Sequence, residues 1–129
     1  MLGLAGPRLT VTGAVADMRS WLAAANLVVA PLRIARGVQN KVLEAMAMAR
    51  PVVASPAAFE GIEAEPGRDL LVADGAPAMA AAINALLADP GRAAALGRAA
   101  RARVEADHAW QSRLAPLAEL VLPGCKAAA

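Results

Sequence analysis

Two short apolar runs, at residues 27–30 (Leu-Val-Val-Ala) and 52–55 (Val-Val-Ala-Ser), flank a stretch with helical periodicity, and this arrangement restricts the fold more than any other feature. Each run is apolar at consecutive positions rather than alternate ones and carries adjacent valines, as strands buried on both faces of a parallel sheet do. Between them a helix is expected to begin near Asn40, with Val42, Leu43, Met46 and Ala49 along its apolar side. Arg50-Pro51 stops it, and Pro51 is tolerated as the first residue of the following strand. Strand, helix and strand within about thirty residues specify a βαβ unit with parallel strands.

The rest of the chain extends this pattern. Residues 9–12 form a short extended segment ended by Gly13, and Asp17 caps a helix with Met18, Trp21, Leu22 and Ala25 on one face. Residues 56–68, rich in small, proline, glycine and acidic residues, are expected to be a long loop anchored by Phe59. Residues 70–73 supply a further strand. Asp74 or Gly75 then starts a helix with Pro77 in its first turn and Met79, Ile83, Leu86 and Leu87 inward. Asp89-Pro90 opens another helix, over 90–106, with Leu96 and Val104 among its few large apolar residues. Asp107 caps a last helix bearing Trp110, Leu114 and Leu117, which Pro116 kinks or shortens.

The fold class is therefore α/β: about four short parallel strands in a partial Rossmann-like sheet flanked by helices, with a helical C-terminal tail. Residues 1–121 make one domain and residues 122–129 a frayed tail. The chain opens on a strand of mid-domain character and the sheet is small for its helices. A partner portion is expected on the N-terminal side.

Composition excludes several functions. The formal charge of +2 is spread along the chain, there is no tyrosine, and Phe59 is the single phenylalanine, so neither a basic patch nor a base-stacking surface for nucleic acid is built. Cys125 and His108 are the sole residues of their types, which removes disulfide frameworks and His or Cys metal clusters within one chain. Glu60, Glu63 and Glu65 lack metal-ligand spacing, and no metal or cofactor is expected. Trp21 and Trp110 fall at core-facing helical positions. Met46 points inward and Met48 sideways, so they imply no cofactor box. Charges or prolines interrupt every stretch that approaches membrane-spanning length, and the N-terminus lacks a signal peptide's basic flank. A soluble protein of a reducing compartment, the cytoplasm, is expected.

Residues 36–55, Arg-Gly-Val-Gln-Asn-Lys-Val-Leu-Glu-Ala-Met-Ala-Met-Ala-Arg-Pro-Val-Val-Ala-Ser, concentrate the functional signal. A glycine loop entering a helix presents free backbone N–H groups and the positive end of a helix dipole, an anion site. Gly37 lets a ligand approach the backbone. On that helix Lys41, Glu44 and Met48 share a side opposite Val42, Met46 and Ala49, so the Glu44 carboxylate is placed to accept hydrogen bonds from vicinal hydroxyls of a ligand over the helix start. The same residues also suit a solvated helix face behind an ordinary turn, because a Lys-Glu pair three apart contributes only a few tenths of a kcal/mol.

The stretch from Gly37 to Ser55 resembles the donor-site segment of GT-B glycosyltransferases of the retaining "glycosyl transferases group 1" family: a glycine loop, then Leu-Glu-Ala-Met-Ala, then Pro-Val-Val. Val-Thr-Gly-Ala-Val-Ala-Asp-Met upstream, Asn-Leu-Val-Val-Ala-Pro, Glu60-Gly61-Ile62 and Asp69-Leu70-Leu71-Val72 are similar to it too, so the resemblance runs over about residues 9–120. It is nearest to bacterial sugar transferases of exopolysaccharide synthesis. The resemblance implies a sugar nucleotide as donor substrate: Glu44 would hold the ribose hydroxyls, Gly37, Val38, Gln39 and Asn40 would meet the donor sugar or distal phosphate, and Lys41 would add charge to the phosphate cradle. Arg36 occupies the place of the first acid of the family's pair. It cannot accept hydrogen bonds from hydroxyls, but it can contact phosphate or a sugar carboxylate.

The resemblance also implies an N-terminal acceptor domain and earlier βα units that this chain does not carry. The chain then corresponds to the donor-binding part of a glycosyltransferase, inactive alone, whose other half comes from an upstream segment or a separate chain and whose full-length form sits peripherally at the inner membrane. No catalytic residue is assigned. A non-catalytic nucleotide-binding or interaction module of the same fold is the alternative.

Overall fold

A computed structural model of the chain describes residues 6–107 and Leu114. Three parallel strands, β1 (Val28–Ala30), β2 (Val52–Ala54) and β3 (Leu71–Val72), lie in the order β1-β2-β3. Val28 stands opposite Val52, and Val53 opposite Leu71. Around the sheet lie α1 (Met18–Ala24), α2 (Asn40–Ala47), α3 (Pro56–Phe59), α4 (Gly75–Ala88) and α5 (Pro90–Asp107). The chain is an α/β unit with helices against both faces of a parallel sheet.

The continuous apolar runs are explained by the way the strands divide between two cores. Val28, Ala30, Val52, Ala54, Leu70 and Val72 join one cluster with Val42, Ala45 and Met46 of α2. Val29, Val53, Leu71 and Ala73 alternate onto the opposite face and join Met79 and Leu86 of α4. Both faces are covered, so every strand position must be apolar. α5 reaches both cores, with Leu96 in the α4 cluster and Ala100 and Val104 in that of α2.

Gly97 is what brings α5 close. A Cβ built there would lie 2.9 Å from the Ala49 carbonyl carbon and 3.4 Å from the Pro51 nitrogen, and would collide with the Ala49 carbonyl oxygen. Ala49 itself ends α2 in a left-handed conformation at φ 53. The Arg50 N–H donates to the Ala45 carbonyl and the Ala49 N–H to the Met46 carbonyl, at 3.0 and 2.9 Å. This is a Schellman motif with alanine where glycine is usual. The helix stops through this turn, one step before the Arg50-Pro51 pair.

A buried carboxylate ties β3 to α5. Asp69 is fully buried and accepts from the Glu65 N–H at 2.9 Å, from Arg68 Nε at 3.0 Å and from Arg103 Nε at 3.0 Å. Burial pushes its pKa up, but the bonds from Glu65, Arg103 and Arg68 outweigh that, and the carboxyl titrates below its ordinary value.

Several expectations are corrected. Residues 9–12 form no strand; a lone antiparallel bridge pairs Gly6 with Leu9, and Leu9 is half exposed. An alternating Leu-Thr-Val-Thr segment needs one covered face, and the described structure offers it none. Asp17 does cap α1, accepting from the Arg19 N–H at 2.9 Å, but Met18 and Trp21 are exposed and only Leu22 of that helix is buried. Trp21 is therefore no core residue. The expected loop of residues 56–68 contains α3, because Ser55 caps it by accepting from the Ala58 N–H at 3.2 Å and Pro56 occupies its first turn. Leu87 faces out: α4 is alanine-rich around its circumference, which leaves periodicity little to select with.

The helix boundaries at Asp74, Gly75 and Asp89-Pro90 agree with expectation, with Asp89 Oδ1 accepting from the Arg92 N–H at 2.9 Å. Asp107 is the last residue of α5, and its carboxylate accepts from Arg103 Nη1 at 3.0 Å. Leu114 is helical and exposed. The expectations for His108, Trp110, Pro116, Leu117, Cys125 and the tail 122–129 lie outside the described residues.

Candidate functional site

The chain leaves the carboxyl end of β1 at Ala30, crosses residues 31–39 and enters α2 on that same edge of the sheet. Gly37, at φ +68, makes the left-handed turn that a side chain would resist. Gln39 is the N-cap in extended conformation, but its side chain does not cap; Nε2 donates instead to the Gly37 carbonyl at 3.0 Å. The Asn40 and Lys41 N–H groups thus donate to no described group and open outward from the mouth of α2.

Helical spacing then divides the side chains. Val42, Ala45 and Met46 are wholly buried, while Lys41 and Glu44 are exposed. Glu44 stands one turn inside the helix mouth, and its carboxylate accepts no hydrogen bond from a described residue. Arg36, Gly37, Val38 and Asn40 are exposed as well. Val38 leans toward the turn after α3, where a Cβ on Gly61 would come 3.5 Å from Val38 Cγ2. All seven residues singled out from sequence therefore lie on one continuous loop-and-helix segment. The Gln39 side chain is turned back onto that loop.

A cavity of 580 Å³ lies where the three strands end, lined by Leu32, Arg33, Ser55, Asp74, Gly75 and Met79 among others. None of the seven expected residues lines it. Its wall was missed in the sequence because it is assembled from three separate strand ends. The available signal was positional: each of its segments closely follows a strand, and ligands of open α/β sheets bind outside the carboxyl ends. Ser55 Oγ donates to the Leu32 carbonyl at 2.6 Å and accepts from the Ala58 N–H, so this hydroxyl braces the floor. Arg33, Arg36 and Lys41 give the edge its positive charge, set against Glu44 and Asp74. Among the described residues no group of His, Cys, Asp or Glu could hold a metal ion.

Comparison with known proteins agrees with this architecture. The family model described as glycosyl transferases group 1 matches residues 2–89, and the chain belongs to that family. Its fold is similar to a GT-B glycosyltransferase domain: the structure of sucrose-phosphate synthase from Thermosynechococcus elongatus superposes with a TM-score of 0.79 at 31% identity, over 90% of this chain and 30% of that one. The chain thus spans about a third of that enzyme's length. No curated protein matches it significantly. No helix among the described residues is long and apolar enough to cross a membrane.

Proposed function

We propose that this chain is the donor-binding part of a retaining glycosyltransferase that moves a sugar from a nucleotide diphosphate to a saccharide or lipid-linked acceptor. One observation carries this reading. Glu44 presents to solvent a carboxylate that no described residue bonds, just inside a helix whose first N–H groups donate to no described group, at the sheet edge where α/β folds take ligands. A carboxylate accepts two hydrogen bonds from vicinal ribose hydroxyls, and the free N–H groups and dipole of α2 favour the diphosphate beside them.

Within this reading Gly37 admits the diphosphate to the backbone, Val38 and Asn40 border the donor sugar, and Lys41 adds charge as the diphosphate departs. Arg36 supplies a contact to phosphate or to a carboxylate on the sugar. The second wall of the cleft comes from an N-terminal half, in the same polypeptide or another, and the segment alone is catalytically silent. We place the whole enzyme in the cytoplasm at the inner membrane surface, in exopolysaccharide synthesis.

Arg36 also favours a second reading, a nucleotide-binding module without chemistry, because an exposed cation stands where sugar hydroxyls need an acceptor. Calorimetric titration with several sugar nucleotides and the matching free nucleotides separates the two. Donor recognition requires tighter binding of the sugar conjugate and its loss in Glu44→Ala. Equal affinity for conjugate and nucleotide supports the module, and no binding by the wild-type chain rejects both.

A further inference from the structure

A second cavity, of 480 Å³, lies at the opposite, amino end of the sheet. It is formed where Asn26 and Leu27 enter β1, where α2 turns through Ala49 and Arg50 into β2, and where the end of α4 meets the start of α5. A sheet's length separates it from the loop of Gly37 and Glu44. Leu27, Leu86 and Leu87 give it apolar walls, and Arg50 and Arg98 are the charged side chains that line it. Among the described residues no carboxylate lines it.

Arg50 carries an anomaly. Its Nη1 donates to the Ala25 carbonyl at 3.2 Å, which holds the guanidinium in place, while its buried Nε–H finds no hydrogen-bond partner among the described residues. A buried charged donor left without an acceptor is costly, and native proteins seldom leave one so without a bound water or ion. Because Nε is closed to solvent, Arg50 would meet an oxyanion in the cavity through its outer Nη2, as a charged hydrogen-bond donor. Arg98 makes no hydrogen bond or ion pair with any described residue, so its charge is also available at the same cavity.

We infer that this cavity is a binding site for an oxyanion carried on a short apolar group, with Arg50 and Arg98 holding the anion and Leu27, Leu86 and Leu87 the stem. The volume is that of a small-molecule site. The apolar walls give a bare ion nothing to cover them, and the two guanidiniums would be desolvated without compensation by a neutral ligand. The site is independent of the donor reading, since it shares no residue with the carboxyl edge.

The test is a titration of the full chain with n-butyl phosphate, inorganic phosphate and n-butanol, followed by amide chemical shifts and thermal unfolding. n-Butyl phosphate should bind saturably and shift the amides of Leu87, Ala93 and Ala94, at least tenfold more tightly than either comparison ligand. Arg98→Met, at an exposed position, should keep the fold and weaken that binding tenfold or more, and Arg50→Met should weaken it further. Equal affinity for n-butanol would remove the anion from the proposal, and equal affinity for inorganic phosphate would remove the stem. Absence of saturable binding, or unchanged affinity in a folded Arg98→Met, would overturn it outright.

Discussion

Gly97→Ala sets two physical effects against each other in a single methyl group. Alanine is the better helix former by about 0.8–1.0 kcal/mol at an interior position, so propensity alone makes the variant more stable. Packing opposes this. The new Cβ would collide with the Ala49 carbonyl oxygen and come 2.9 Å from the carbonyl carbon, and these are backbone atoms of the turn that ends α2. They cannot rotate aside as a flexible side chain would. Relief requires α5 to move off the turn, which loosens Leu96 and Ala100, now 5% and 0% exposed. Overpacking of this kind costs about 1–3 kcal/mol. Re-exposing about 50 Å² of apolar surface adds about 1 kcal/mol. The net expectation is a loss of about 1–3 kcal/mol.

Gly91→Ala, in the first turn of the same helix, is the internal comparison. Its Cβ would lie 3.4 Å from the Asp89 carboxylate oxygen, an ordinary contact with a side chain and not with backbone, so the variant should be neutral or gain up to about 1 kcal/mol. Urea unfolding followed by far-UV circular dichroism gives both midpoints; at unchanged slope a shift in midpoint is a shift in stability. If Gly97→Ala proved as stable as the wild type while Gly91→Ala gained, helix propensity would govern both sites and the close approach of α5 to the Ala49 turn would be refuted.

Ala49→Gly should raise stability by about 1 kcal/mol, because glycine removes the steric cost of the left-handed conformation at φ 53; the same urea experiment checks it. Met46→Ala removes a wholly buried side chain and should cost about 2–5 kcal/mol, read as a lower thermal midpoint, whereas the exposed Glu44→Ala should move that midpoint by less than about 0.5 kcal/mol. The Asp69 carboxyl has a folded pKa below its ordinary value of 3.8, so its contribution is complete above that value and is lost as pH falls through the folded pKa. Stability measured from pH 6 down to pH 2 should therefore show an acid limb that Asp69→Asn flattens, with the variant less stable at pH 6 by about 1.5–3 kcal/mol.

The legible parts of this protein are those in which neighbouring residues carry the signal. Consecutive valines fall on the two cores of the sheet because strand side chains alternate, and that rule operates within three residues. Asp17, Asp89 and the apolar stripe of α2 are equally local, and so is the exposure of Glu44, which follows from its angle to Val42 and Met46 on one helix. Where local chemistry was ambiguous, prediction failed: α3 was hidden in a stretch composed like a loop, and Trp21 has the spacing of a core residue but is half exposed, with no described residue to cover it.

What sequence by itself determined is the βαβ frame, the family and the segment that bears Arg36 to Glu44, since each depends on residues close together in the chain. The tertiary structure alone decided which strand ends meet to form the cavity behind Arg33, Ser55 and Asp74, how α5 rests on the Ala49 turn through Gly97, and that Arg50 and Arg98 line one cavity. Those pairings join residues separated by tens of positions. Their contact depends on the relative placement of packed elements, for which periodicity and composition carry no signal.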